Sequence, residues 1–343
     1  MEILHTTITF FAEALILVLA IVAVLVTIAG LVAKAKSQKS FDIELLHEKY
    51  QDQTQALKEA LLSDSERKSE KKQQKILTKE KAKLSDEGKL YKSRVFVIDF
   101  LKGDLKASAS EHLREEISTV LGVATQKDEV VINVESPGGL VHGYGFAAAQ
   151  LIRLRTAGIP LTICVDQVAA SGGYLMACTA DKIIASPFAL IGSIGVVAQV
   201  PNFNKLLKKH DVDFKEYTAG DYKRTVSLFG EITEKGETKF KEQLEQTHDM
   251  FKSFVAQYRP KLDIAKVSTG EYWYGQMALG LGLVDEIKTS DEYLLSKAKD
   301  HQIVKISFET KPTLSDKISD VFSKVLTQIL SRLMNQNDSI KNV

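Results

Sequence analysis

Short apolar runs rich in β-branched residues recur from Arg94 onward, and a stretch of helical texture follows each of the first three. "RVFVIDF" precedes "GDLKASASEHLREEISTVL", "VVINVES" precedes "GYGFAAAQLIRLRTAG", and "LTICVDQ" precedes "ASGGYLMA"; "KIIASP" and "SIGVVAQV" come next. Runs this short with few polar interruptions suit strands buried on both faces. Parallel neighbours need crossovers of a dozen residues or more, and helices of this length supply them. The alternation therefore predicts an α/β domain with a largely parallel sheet over residues 94–300.

The flanks differ in kind. "ALILVLAIVAVLVTIAGLVA", from Ala14 to Ala33, is 20 residues without a charge, enough for a helix to cross a bilayer core. Glu2 and Glu13 precede it and no Lys or Arg does. A cleaved signal peptide would start basic and carry a shorter apolar core. Residues 1–39 therefore read as a retained, single-pass membrane anchor in contact with lipid through 14–33. Lys34, Lys36 and Lys39 follow the run, which by the positive-inside rule places the next domain in the cytoplasm.

Residues 40–93 are dense in Lys, Glu, Gln and Ser with no Pro, and read as a helical or partly disordered juxtamembrane spacer. Residues 203–262 are charged and helical in texture apart from the loop around "TAGDYKRTVS". "YGQMALGLGLVDEI" reads as a helix followed by a short strand. Residues 301–343 should give a strand and an amphipathic helix, with Ile318, Val321, Val325, Ile329 and Leu333 on one stripe.

Lys+Arg 45 against Asp+Glu 44 leaves a net charge of +1, so no global footprint for nucleic acid exists. Cys164 and Cys178 both sit in apolar stretches and read as buried free thiols rather than a disulfide. With neither CxxC nor HExxH present, no metal or other cofactor is expected.

"VAASGGYLMA", residues 168–177, sets Ser171 among small residues at the start of an apolar helix. That suits a crowded nucleophile, and equally a close helix contact. A serine hydroxyl needs a base within hydrogen-bond reach. No histidine follows Ser171 before His210, which sits in a charged segment, and His142, just past a Gly-Gly turn, reads as structural or surface-lying. A lysine can act instead where burial keeps its amine neutral. Lys223 is one candidate among many surface lysines. The turn Ser136-Pro137-Gly138-Gly139 ends a strand with no side chains over its N–H groups. It can either bind an oxyanion or simply supply glycines for a strand-to-helix turn.

In combination these motifs are more specific. "NVESPGG", "DQVAASGGYLMACTADKIIASPFALIGSIGV", "GDYKRTVSLF" and "WYGQMALGLGLVDEI" stand in the order and spacing of the signal peptide peptidase A family. The chain resembles most its bacterial inner-membrane branch, with one protease domain behind a membrane helix and a charged spacer. The resemblance covers about residues 94–300. It implies a crotonase-like (ClpP-like) fold, a periplasmic active site and a Ser-Lys dyad. Ser171 would be the nucleophile and Lys223 the general base. Ser193, in "GSIGV", would orient the lysine amine. Gly139 and Gly172 would be the oxyanion donors, with Gly138 shaping the turn.

Longer members split the dyad between two domains. Here both residues lie in one, so each subunit should hold a complete dyad unless subunits exchange them. The expected activity is cleavage of apolar peptides or membrane-protein segments by a homo-oligomer, with a groove walled by "GGYLMA" and "FALIGSIGVV". The competing expectations are an acyl-CoA hydratase or isomerase on the same fold and an inactive membrane scaffold.

Overall fold

The computed structural model describes residues 39–63, 65–70, 72–73, 76, 79, 91, 93–101 and 103–310. The chain divides into two compact units, Met1–Asp42 with Phe308–Val343, and Ile43–Ser307. In the first, the rings of Phe41 and Phe308 meet with centroids 4.9 Å apart. The second holds every catalytic candidate. The expected membrane anchor at 14–33 and the expected tail helix beyond 310 lie outside the described residues. Among the described residues no helix is long and apolar enough to cross a membrane.

The strands are β1 (Lys39–Leu45), β2 (Arg94–Phe100), β3 (Glu129–Val134), β4 (Leu161–Val165), β5 (Val168–Ala170), β6 (Lys182–Ala185), β7 (Leu190–Gly192), β8 (Tyr272–Tyr274), β9 (Glu286–Ile287) and β10 (Gln302–Thr310). The main sheet runs β1-β10-β2-β3-β4-β6-β9. Its registered pairs from β10 to β9 are all parallel. A second sheet runs β5-β7-β8, with β5 and β7 parallel and β8 antiparallel. The expected parallel-rich α/β architecture is present, and it fits the ClpP-like type of fold.

Crossover helices α2 (Ser110–Leu121) and α3 (Val141–Thr156) pack on the face formed by Phe96, Ile98, Phe100 and Ile132. The opposite face, with Val95, Val97, Val131 and Ile303, is covered by Leu46 of α1 (Leu46–Leu61) and by Tyr293 and Leu294 of a later helix (Ser290–Lys297). Every residue of β4 is buried, as a central strand covered on both sides requires.

Two local readings change. The spacer opens with a strand, because Phe41, Ile43 and Leu45 alternate with polar residues at the period of β structure. "SIGVVAQV" is not a strand, since β7 stops at Gly192 (φ +102) and Ser193 (φ +51) turns the chain away. Both cysteines are buried and unpaired.

Candidate active site

Ser171 stands between β5 and the short helix α4 (Gly172–Ala177) with φ +51 and ψ −118. Such a backbone costs a non-glycine residue about 1–3 kcal/mol and persists only where its surroundings enforce it. They do so here: Ser171 N–H donates to the Gly192 carbonyl at 2.8 Å, and the Ser171 carbonyl accepts from Leu175 N–H at 2.9 Å. The residues that read as helix-packing material thus present a hydroxyl on a sharp turn.

The Ser136–Gly139 turn lies directly against it. A Cβ on Gly138 (φ +90) would fall 2.7 Å from Ser171 Cβ and 2.6 Å from the Gly172 nitrogen. Gly138 N–H donates to Ser136 Oγ at 3.1 Å, so it is spent within the turn. The N–H groups of Gly139 and Gly172 have no partner among the described residues. Two such donors beside a serine are what a tetrahedral oxyanion needs. Ser193, the second strained serine, donates Oγ–H to Gly270 O at 3.3 Å, and its N–H donates to Glu271 O at 2.7 Å.

Ser171, Ser193, Gly138, Gly139 and Gly172 share a cavity of about 1180 Å³. Its apolar wall is only partly the expected one. Leu175, Val196 and Val197 contribute, but Tyr174, Met176, Ile191 and Ile194 are core residues and Phe188 is 82% exposed. The remaining wall comes from Leu105, from Leu140 and Val141 at the start of α3, and from Met250, Phe251 and Phe254. These last belong to a helix of 25 residues, Glu234–Tyr258, here α6 after the short α5 (Asn204–Lys209). A 247-250-251-254 stripe in that charged segment was the available signal.

Lys223 is not brought to Ser171 within one chain. It is exposed and does not line the cavity. Its neighbours make surface contacts. The Tyr222 ring lies 5.3 Å from the amines of both Lys235 and Lys239 on α6, and Arg224 Nε meets Glu216 Oε1 at 3.0 Å. The Thr225 carbonyl presses on Gly236, where a Cβ would come within 2.4 Å.

Two histidines do line the cavity, His142 and His248. His248 Nε2 is 3.2 Å from the Ile194 carbonyl; a carbonyl only accepts, so that nitrogen carries the proton. No carboxylate is part of the cavity wall among the described residues. Burial pushes the Cys164 and Cys178 thiols well above the usual range, which leaves neither as a nucleophile.

Comparison with known proteins identifies the family. The profile of peptidase family S49 matches residues 153–304, and that of the peptidase family S49 N-terminal region matches residues 2–151. A protein named "Probable protease SohB" from Haemophilus influenzae is 48% identical over 335 residues, 94% of each chain. One of the same name from Buchnera aphidicola subsp. Acyrthosiphon pisum is 50% identical over 242 residues, 71% of this chain and 72% of that one. "Protease 4" of Haemophilus influenzae is 31% identical over 165 residues, 48% of this chain and 27% of that one. The expected likeness to the SohB branch is thereby established, and the chain belongs to peptidase family S49.

Proposed function

We propose that this S49 peptidase is a serine endopeptidase in which Ser171 Oγ attacks the peptide carbonyl and Lys223 takes its proton. The N–H groups of Gly139 and Gly172 hold the oxyanion, Gly138 shapes the turn beneath it, and Ser193 orients the lysine amine. The protonated amine then gives its proton to the leaving nitrogen, and water hydrolyses the acyl-serine through the same groups. The observation that carries this reading is Ser171 itself, held at φ +51 on the wall of a large cavity beside two unbonded N–H groups. A fluorophosphonate or a peptide boronate should label the wild-type protein and not Ser171→Ala. Labelling that survives Ser171→Ala refutes the assignment.

Lys223 enters the site from a second copy. The segment carrying it exposes Val197, Phe214 and Tyr217, the last at 89%, an apolar surface suited to a homo-oligomer contact. The substrate is an apolar peptide or membrane-protein segment, because the cavity wall is largely aliphatic and aromatic. Residues 14–33 hold the protein in the bacterial inner membrane as a single-pass anchor. Family resemblance favours the periplasmic side and Lys34, Lys36 and Lys39 favour the cytoplasmic one. An impermeant thiol reagent against an engineered exposed cysteine in intact cells decides between them.

A second reading has one observation in its favour: apart from Tyr144, the titratable side chains of the cavity wall are His142 and His248. With Nε2 committed to Ile194, His248 Nδ1 is left as an acceptor for the Ser171 proton. Loss of hydrolysis in His248→Ala, with Lys223→Ala unaffected, would favour it. Hydratase or isomerase chemistry uses carboxylates for proton transfer, and the cavity wall offers none among the described residues.

A further inference from the structure

Beneath the oxyanion turn lies a buried chain of hydroxyl groups whose proton directions are all fixed. Tyr144 Oη donates to the Asp104 carbonyl at 2.8 Å. A phenol has one proton, so the 2.6 Å contact between Tyr144 Oη and Ser136 Oγ must have Ser136 as donor. Ser136 Oγ is then an acceptor for Gly138 N–H at 3.1 Å. The relay runs Gly138 N–H to Ser136 O–H to Tyr144 O–H to Asp104 C=O. Ser136 and Tyr144 are both fully buried, and burial pushes the phenol pKa up, which keeps it a donor.

The same two residues support the other half of the site. Ser136 bridges Ala169 of β5: its N–H donates to Val168 O at 2.8 Å and its carbonyl accepts from Ala170 N–H at 3.0 Å. The strand so held ends at Ala170, next to Ser171. The Tyr144 ring underlies Gly172, where a Cβ would sit 2.4 Å from Tyr144 Cγ. Gly172 therefore rests on Tyr144 directly, and Gly139, which packs on the Leu105 backbone, is tied to Ser136 through Gly138 of the same turn.

We propose that Ser136 and Tyr144 are positioning residues for the oxyanion site, aligning the Gly139 and Gly172 N–H groups with the carbonyl that Ser171 attacks. The proposal rests on the serine-peptidase reading above. A misaligned donor weakens binding of the tetrahedral state while leaving the ground-state peptide almost untouched.

The test uses the full-length protein and a fluorogenic peptide. Tyr144→Phe keeps the ring under Gly172 and removes only the hydroxyl; kcat should fall about ten- to a hundred-fold, with KM changed less than about three-fold. The affinity for a peptide boronate, which forms a tetrahedral adduct, should fall by the same factor as kcat. Ser136→Ala should behave alike, and the double variant should lose no more than the worse single one, because both break one relay. Melting curves exclude a global fold defect; if Tyr144→Phe does not fold, the same split in Ser136→Ala decides. Unchanged kcat, a loss carried by KM, or additive losses would each overturn the proposal. Full hydrolysis by Ser171→Ala would instead refute the serine-peptidase reading, and the relay with it.

Discussion

Gly138 and Ser171 are packed so closely that a methyl group on the glycine would lie 2.7 Å from the Cβ of the serine. Gly138 also has φ +90, a conformation glycine adopts freely and alanine does not. Gly138→Ala should therefore push the turn off Ser171 and cost about a hundred-fold or more in kcat. Steady-state kinetics with a melting curve separate this from unfolding; activity within a few-fold of wild type would show that the turn has room to yield.

Lys223 and Ser171 offer a direct test of where the base comes from. If Lys223 acts on a neighbouring copy, Ser171→Ala and Lys223→Ala should each be inactive alone and regain activity when mixed, because half-sites then pair. Removing a general base costs about 10²–10⁴-fold, so even a small recovered fraction is measurable. Two dead variants whose freshly assembled mixture stays dead place the dyad within one chain.

Gly236 touches the same loop from the far side. Thr225 O sits where its Cβ would go, two residues beyond Lys223 and at the first turn of α6 capped by Thr233. Gly236→Ala should shift the loop and lower kcat several-fold, although position 236 is no part of the cavity. Rates equal to wild type would mean that the loop absorbs the methyl.

Met250 is the most exposed of the α6 side chains in the cavity wall, at 62%. Met250→Glu should reduce cleavage after Leu or Phe and improve cleavage after Lys. One methylene in an apolar pocket is worth roughly 1–3 kcal/mol, so the preference should be graded. A fluorogenic panel varied at the residue before the cut reads it; an unchanged ranking would remove α6 from specificity.

Acid should loosen the fold through identifiable carboxylates. Burial pushes the Asp128 carboxyl up, but hydrogen bonds from Arg94 and Thr125 outweigh it and hold the group well below the usual range. Asp285 follows the same pattern with Arg259 and the Ile183 N–H. A depressed folded-state pKa gives stability that is complete above the unfolded value near 4 and is lost as pH falls toward the folded one. Melting temperature should be flat near neutrality and drop below about pH 4. Asp128→Asn should cost about 1–2 kcal/mol at pH 7, allowing for the half-exposed Arg94, and should flatten that acid slope.

The central strands of the main sheet were legible because both of their faces are buried, so "RVFVIDF" and "LTICVDQ" carry apolar runs with few polar interruptions. The β1 strand was obscured by the charged residues around it, although Phe41, Ile43 and Leu45 hold a two-residue period. Ser171 and the Gly138-Gly139 turn could be read as a pair because small residues must stand where two backbones approach. The pairing of Ser136 with Tyr144 gave no signal: eight residues apart, one in the turn after β3 and one on α3, they meet only in the fold. That Lys223 would stand outside the cavity of its own chain was equally invisible, since no residue pattern says whether a loop closes over its own chain or another.

Ser171 hangs from the small sheet and Gly139 from the end of the large one, with the Ser136–Ala169 bridge joining them. On the proposed reading Ser171 and the Gly139 N–H are thus two jaws on one hinge pin, with Gly172 on the Ser171 jaw, and their spacing is set at that pin. Warming that slackens the bridge opens the jaws while the seven-stranded sheet still stands. Heat would then disarm this peptidase before it melts it.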